Sequence, residues 1–186
     1  WINSCIKLFE GIPIQIKLNL SRLSISGTSG TLVPCGSNGV PLGNSIPYNE
    51  ACTSNHEKLN LIAGGDKFLN DPYSSLAKAI KLIDIFGEDI ILRHQSDWIS
   101  GWFLNEWRYG EEGNNVKLGW NIANKSWPDS FNSFSLKKSI PIIKKSGSIL
   151  GKINQSIANS LGTSEHLLLI SGTTDANAAF IAAEVK

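Results

Sequence analysis

The sequence predicts an α/β fold, and three observations carry that prediction. Short apolar or alternating runs with strand character recur between stretches of helical periodicity. One such run, at 167–170, is wholly apolar and bounded by polar residues, as a buried strand requires. It leads through Ser171-Gly172-Thr173-Thr174-Asp175 straight into an Ala-rich stretch with high helix propensity. Strands that alternate with helices define the α/β class.

The elements follow in order. Residues 1–10 place Trp1, Ile2, Cys5, Leu8 and Phe9 at the spacing of an amphipathic helix, which Gly11 and Pro13 end. Ile16, Leu18 and Leu20, then Leu23 and Ile25, alternate with polar residues and predict a strand closing near residue 25. Ser26-Gly27-Thr28-Ser29-Gly30 is a turn, 31–35 a returning strand and Gly36-Ser37-Asn38-Gly39 a second turn. The first 50 residues therefore read as a hairpin-like unit. From Ser74, the apolar positions Leu76, Ala77, Ile80, Ile83 and Ile85 predict a helix closed by Gly87. A second helix is expected within 97–107, with Trp98, Ile99, Trp102 and Phe103 on one side. Residues 114–128 read as a long structured loop and 148–153 as a short strand. A helix follows at 155–161, stopped by Gly162, and another at 175–184.

Composition excludes several function classes. The 186 residues are 41% hydrophobic and 18% charged, with 17 basic and 16 acidic side chains and a net charge of +1. That balance argues against nucleic-acid binding by charge and against a polybasic membrane anchor. No apolar run approaches the ~20 residues of a membrane span. Cys5, Cys35 and Cys52 are odd in number and widely spaced. A disulfide framework or structural zinc site is therefore not expected, and a reducing, cytoplasmic setting is. His56, His94 and His166 lack metal-ligand spacing and read as surface or capping residues. Trp98, Trp102 and Trp107 read as packing residues, since no basic run accompanies them. The sequence contains no methionine and begins at Trp1, which reads as a piece of a longer protein.

Two motifs can carry chemistry. In Ser171-Gly172-Thr173-Thr174-Asp175, the strand-to-helix turn falls where open α/β sheets bind ligands. Gly172 removes a Cβ from the turn. The helix start offers free N–H groups and a positive dipole end, suited to a phosphate. Asp175 can take a proton from a substrate hydroxyl, which is a poor nucleophile without a base. The plain alternative is an ordinary helix cap, because Ser, Thr and Asp are the preferred capping residues. In Ser26-Gly27-Thr28-Ser29-Gly30, hydroxyls on a sharp turn can hydrogen-bond a polyol, and the alternative is a common Gly/Ser turn. No Gly-Lys-Ser/Thr follows, so this is no Walker loop. The Gly-x-Ser-x-Gly elbow of a hydrolase is also lacking.

Taken together, in their order and separation, these motifs resemble the FGGY carbohydrate kinases. The run Ile-Ser-Gly-Thr-Ser-Gly-Thr-Leu-Val from Ile25, with Gly-Val-Pro-Leu and Pro-Tyr-Asn after it, resembles that family's sugar-binding turn, its two strands and its aromatic-Asn-Asp element. Asn114 to Asn121 resembles its Asn-Ala-Leu-Lys-Leu-Gly-Tyr-Asp stretch. His94 to Trp98 fits a helix start of the family, and Ser171 to Phe180 resembles its Gly-Thr-Thr-Asp segment and Ala-rich helix. The ribulokinase/xylulokinase-like branch of cyanobacterial and plant type is most similar.

The resemblance implies a ribonuclease H-like (actin-like ATPase) lobe, a mixed sheet flanked by helices, incomplete here. Residues 1–186 are expected to form part of the N-terminal, sugar-binding lobe. The ATP-binding lobe would follow Lys186, and an Asp-Gly-Thr hairpin would precede Trp1. The implied reaction is ATP-dependent phosphorylation of a ketopentose such as D-ribulose or D-xylulose, with Mg2+ screening the phosphates. By the same resemblance Asp175 is the general base, Thr28, Ser29 and Asp175 contact the sugar, and Gly172, Thr173 and Thr174 lie near the transferring phosphate. ATP and Mg2+ would be held mainly outside this chain, and no metal ligand is assigned within it. A ribonuclease H-like nuclease would need several clustered carboxylates, and only Asp175 is well placed. The partner is a small-molecule sugar. The chain alone is expected to be inactive, and the competing reading is a non-catalytic remnant that at most binds sugar. Ser26, Glu50 and Asn121 each stand where the family pattern has Asp, which leaves the sugar open.

Overall fold

The chain enters the fold through two short helices, α1 (Ile2–Glu10) and α2 (Ile14–Asn19). The computed structural model describes residues 1–134 and 136–183. The sequence alternation at 16–20 predicted a strand, but this stretch is helical. Pro13 stands at the helix start with φ −54°, a value that suits helix entry. Ile16 and Leu18 are both exposed, so their alternation marks no buried face.

Strand β1 (Arg22–Ser24) follows, then β2 (Leu32–Cys35). Helices α3 (His56–Ala63) and α4 (Ser75–Phe86) lead to β3 (Ile91–His94) and α5 (Gln95–Leu104). Next come β4 (Tyr109–Glu111), the single turn α6 (Glu112–Asn115) and α7 (Ser130–Ser133). The chain then forms β5 (Ile142–Lys144), β6 (Ile149–Lys152), α8 (Gln155–Leu161), β7 (Leu168–Ile170) and α9 (Asp175–Ala182). Glu184, the expected last residue of the final helix, lies outside the described residues.

The hairpin expected between residues 16 and 35 does not form. β1 pairs in parallel with the distant β7, Leu23 opposite Leu169, while β2 pairs antiparallel with β3, Leu32 opposite His94. Gly30, at φ 94°, sits in the turn that separates the two strands into different sheets. A parallel partner requires a long crossover, and local alternation cannot reveal one. The second turn is as read: Gly36 N donates to Val40 O at 2.9 Å, and Gly39 adopts φ 76°.

The main sheet runs β1-β7-β6, with β6 antiparallel to β7 and a bulge between Ile149 and Gly151. Two-stranded sheets β2-β3 and β4-β5 complete a mixed α/β arrangement. Two cores result. Phe9, Ile99, Phe103, Ala158, Leu161, Leu167 and Leu169 join α1, α5 and α8 to the main sheet. Leu32, Leu59, Ile62, Leu76, Ile80, Leu92 and Leu118 join α3 and α4 to β2-β3. Helix α5 packs against β2, β3, β4 and β7, and so ties the halves together. Each fully buried Leu or Ile contributes about 1.5–3 kcal/mol.

Capping follows chemistry. Ser74 Oγ accepts from Ala77 N at the start of α4, and Gly87 at φ 85° ends that helix. Trp107, expected at the end of the α5 helix, lies beyond it. Asn105 takes the left-handed conformation that stops α5, and Trp107 folds back over Gly39 and Gly101. A Cβ on Gly101 would sit 2.3 Å from the indole. His94 corrects another expectation. It is wholly buried rather than on the surface; it stands at the N-cap position of α5 without a side-chain cap bond, and its Nε2 lies 2.9 Å from Ser75 Oγ. Among the described residues no helix is long and apolar enough to cross a membrane.

Candidate functional site

The two motifs meet at the carboxyl end of the parallel pair β1-β7. Past Ser24 and Ile170 the pairing is prolonged by a bridge between Gly27 and Thr174. Asp175 N donates to Gly27 O at 3.0 Å. This close approach depends on Gly172, because a Cβ there would lie 1.9 Å from Ile25 O. A glycine at this point is therefore a steric requirement of bringing the turns together.

Within the second turn the roles separate. Thr174 is the buried N-cap of α9, its Oγ1 accepting from Asn177 N at 3.2 Å. Thr173 Oγ1 accepts from the Asn177 side chain. Asp175 is exposed, and its one side-chain bond among the described residues is from Ala176 N, 2.9 Å, to Oδ1. The capping role weighed for Asp175 thus belongs to Thr174. The Asp175 carboxylate stays open to solvent at the positive end of the α9 dipole, where the first amides are already bonded: Asp175 N to Gly27 O, Ala176 N to Asp175 Oδ1 and Asn177 N to Thr174 Oγ1.

Within the first turn Thr28 and Thr31 form a relay. Tyr48 N donates to Thr31 Oγ1 at 3.1 Å, the two threonine hydroxyls are 2.8 Å apart, and Thr28 donates to Gln95 Oε1 at 3.1 Å. Thr28 has committed its proton, so it faces a ligand only as an acceptor. Ser29 is half-buried and makes no side-chain hydrogen bond among the described residues. A 400 Å³ groove crosses the junction, lined by Ser26 of the first turn and by Ser171, Gly172 and Thr173 of the second. Neither Ser29 nor Asp175 lines it; what joins those two residues is the backbone contact between the turns.

Sequence reasoning missed the support behind this site. Lys78 is completely buried in α4, and its Nζ donates to Tyr48 O at 3.1 Å and to Tyr73 O at 2.9 Å. Burial holds its pKa below the ordinary value of a lysine, against a partial pull upward from Cys52. The two tyrosine rings stay exposed. Tyr48 borders Gly30 and Lys117, and Tyr73 shares a 190 Å³ cavity with Lys117, Phe68 and Asp71. The signal in the sequence was a lysine at an apolar helical position between Leu76 and Ile80.

A second hidden network lies behind the first turn. Asp97 accepts from Glu111 N and Asn115 Nδ2, at 3.0 and 3.1 Å. Glu111, also buried, accepts from Gly113 N, Asn114 N, Asn114 Nδ2 and Ser146 Oγ at 2.7–2.9 Å. The departures have local explanations. Asn121 Oδ1 accepts from Asn124 N within a turn, and Glu50 pairs with Lys81 at 3.3 Å on the surface.

Comparison with solved structures decides the fold. The chain superposes over 97% of its length on a carbohydrate kinase from Novosphingobium aromaticivorans, with a TM-score of 0.77 and 12% identity. The fold is that of the carbohydrate kinases. A ligand-bound xylulose kinase from Lactobacillus acidophilus matches over 97% at TM-score 0.76 and 15% identity. Glycerol kinase of Plasmodium falciparum, solved with ADP, matches over 97% at 0.73 and 16%. The chain spans 41%, 39% and 40% of those three proteins, about two-fifths of the length of each. No family model matches the sequence.

Proposed function

We propose that this chain is part of the sugar-binding lobe of an ATP-dependent kinase of the FGGY type, whose intact form phosphorylates a ketopentose such as D-ribulose or D-xylulose. The observation that carries the reading is the junction of the two turns. Asp175, whose exposed carboxylate is not the helix cap, donates its backbone N–H to Gly27 O of the hydroxyl-bearing turn at 3.0 Å. In this reading Asp175 removes the proton of the attacking hydroxyl, Ser29 and Thr28 hold the sugar, and Gly172, Thr173 and Thr174 lie beside the transferring phosphate. The ribulokinase/xylulokinase-like branch rests on the sequence motifs.

The residues present fit the phosphate end of ATP in one respect. The α9 start presents its positive dipole end, although its first amides are already bonded within the chain. They do not build a Mg2+ site, because no group of three or more His, Cys, Asp or Glu among the described residues could hold a metal ion. What this chain supplies is positioning and one proton acceptor, and phosphoryl transfer depends chiefly on positioning and charge.

Titration of the protein with D-ribulose or D-xylulose, followed by amide chemical shifts, tests the binding half. The expected result is movement of the Ser29, Gly30 and Asp175 amides together. Shifts confined to residues remote from both turns, or none at 50-fold excess over a millimolar affinity, would overturn it.

A further inference from the structure

Between the segment after α3 (Asp66, Phe68, Leu69) and the loop from Val116 to Pro128 lies a cavity of 490 Å³ that the phosphoryl-transfer reading leaves unused. It falls within the roughly 300–1,000 Å³ of small-molecule sites. Its walls are Trp120, Trp127 and Phe68, and its polar groups are Asp66, Asn121 and Ser126. We infer that this cavity is a binding site for the pyranose ring of a neutral sugar or glycoside, separate from the acceptor hydroxyl's site.

The cavity is prebuilt. Trp127 stacks on Phe131 of the core at 5.7 Å and 26°, and Trp120 meets Trp127 edge-on at 5.3 Å. Gly119 at φ 125° lets Trp120 fold back, where Trp120 N donates to Asn115 O at 3.0 Å. A bridge between Asn121 and Ser126 closes the rim. Rigid aromatic side chains lose little freedom on binding, which favours even a weakly held ligand.

The lining selects the ligand class. Among the described residues no Lys, Arg or His lines the cavity, so none of them recruits a phosphate or carboxylate ligand there. Asp66 spends Oδ1 on the amides of Phe68 and Leu69, and its Oδ2 has no bonded partner among the described residues. Asn121 likewise spends its oxygen on Asn124 N and keeps its amide hydrogens. An apolar ring face for the indoles, with hydroxyls at the edge for a carboxylate acceptor and an amide donor, is the chemistry of a pyranose. Phe68 also lines the 190 Å³ cavity of Tyr73 and Lys117, so the ring would sit on the flank that leads toward Gly30.

The test is saturation-transfer NMR on the protein with methyl β-D-xylopyranoside, with open-chain ribitol and adenosine as comparison probes, alongside tryptophan fluorescence. The pyranoside is expected to bind with a Kd on the order of 1–10 mM, the range of a ligand this small. Trp120→Leu should abolish the transfer. Asp66→Asn keeps the oxygen that caps Phe68 and Leu69 but removes the charge, and should weaken binding about 10-fold. Equal transfer to ribitol, tighter binding of adenosine, no transfer to the pyranoside at 20-fold the upper Kd (on the same small-ligand estimate), or an Asp66→Asn protein that binds unchanged would each overturn the assignment. Because the readout is binding, failure here leaves the phosphoryl-transfer proposal standing, and the reverse also holds.

Discussion

Replacing Lys78 with methionine should loosen the loops behind the first turn while leaving the helix that carries it intact. Methionine keeps the length and removes both donors. Two charge-assisted bonds, 3.1 Å to Tyr48 O and 2.9 Å to Tyr73 O, are lost. Bonds to a charged group contribute about 1.5–3 kcal/mol each, so the gross loss is about 3–6 kcal/mol. Against this stands relief from holding an ammonium group away from water, which costs several kcal/mol for a buried ion. The net expectation is a destabilisation of about 1–3 kcal/mol, or about 2–12 °C in Tm for a chain of this length.

The sign of the pH dependence is also set. The folded-state pKa of Lys78 lies below its ordinary value of 10.5, so between those two values the unfolded chain binds more protons. Wild-type stability should therefore rise with pH across that window relative to Lys78→Met. Thermal melts at stepped alkaline pH, with hydrogen exchange at 46–52 and 71–74, read both effects. A variant with wild-type Tm and wild-type exchange in those loops would refute the reasoning.

Other perturbations have equally definite outcomes. Gly172→Ala places a Cβ 1.9 Å from Ile25 O, so the turns must part. A loss of about 2–4 kcal/mol in chemical denaturation, with faster exchange of the Asp175 amide, is expected. Glu111→Gln turns an acceptor of four bonds into a group that presents a donor to donors, and should cost about 2–4 kcal/mol. Burial raises the pKa of all three thiols, Cys35 to about 12. Iodoacetamide at pH 8 should label Cys5, the half-buried one, first and Cys35 only on unfolding, as mass spectrometry of timed quenches would show.

The elements legible in the sequence were those with strong local signals. α4 announces itself by its apolar period and the Ser74 and Gly87 ends, α8 by Gly162, and β7 by an unbroken apolar run. The pairing of β1 with β7 was not legible, since parallel strands far apart in sequence leave no local mark. β3 was missed because its burial pattern mixes Ile91 and Leu92 with Arg93 and His94, whose guanidinium and Nε2 find partners only in the fold. At the site, the sequence motifs identified both turns. The role of Gly172 as a contact point, the assignment of the cap to Thr174 and the grip of Lys78 on two loops depend on distances that no spacing encodes.

The most direct test of the central proposal is steady-state transfer of the ATP γ-phosphate to D-ribulose and D-xylulose by the intact protein that contains this chain, wild type against Asp175→Asn. Loss of a general base should lower kcat about 10²–10⁴-fold while leaving the sugar KM nearly unchanged. An Asp175→Asn protein as active as wild type, or a wild-type protein that phosphorylates no pentulose or polyol, would contradict it.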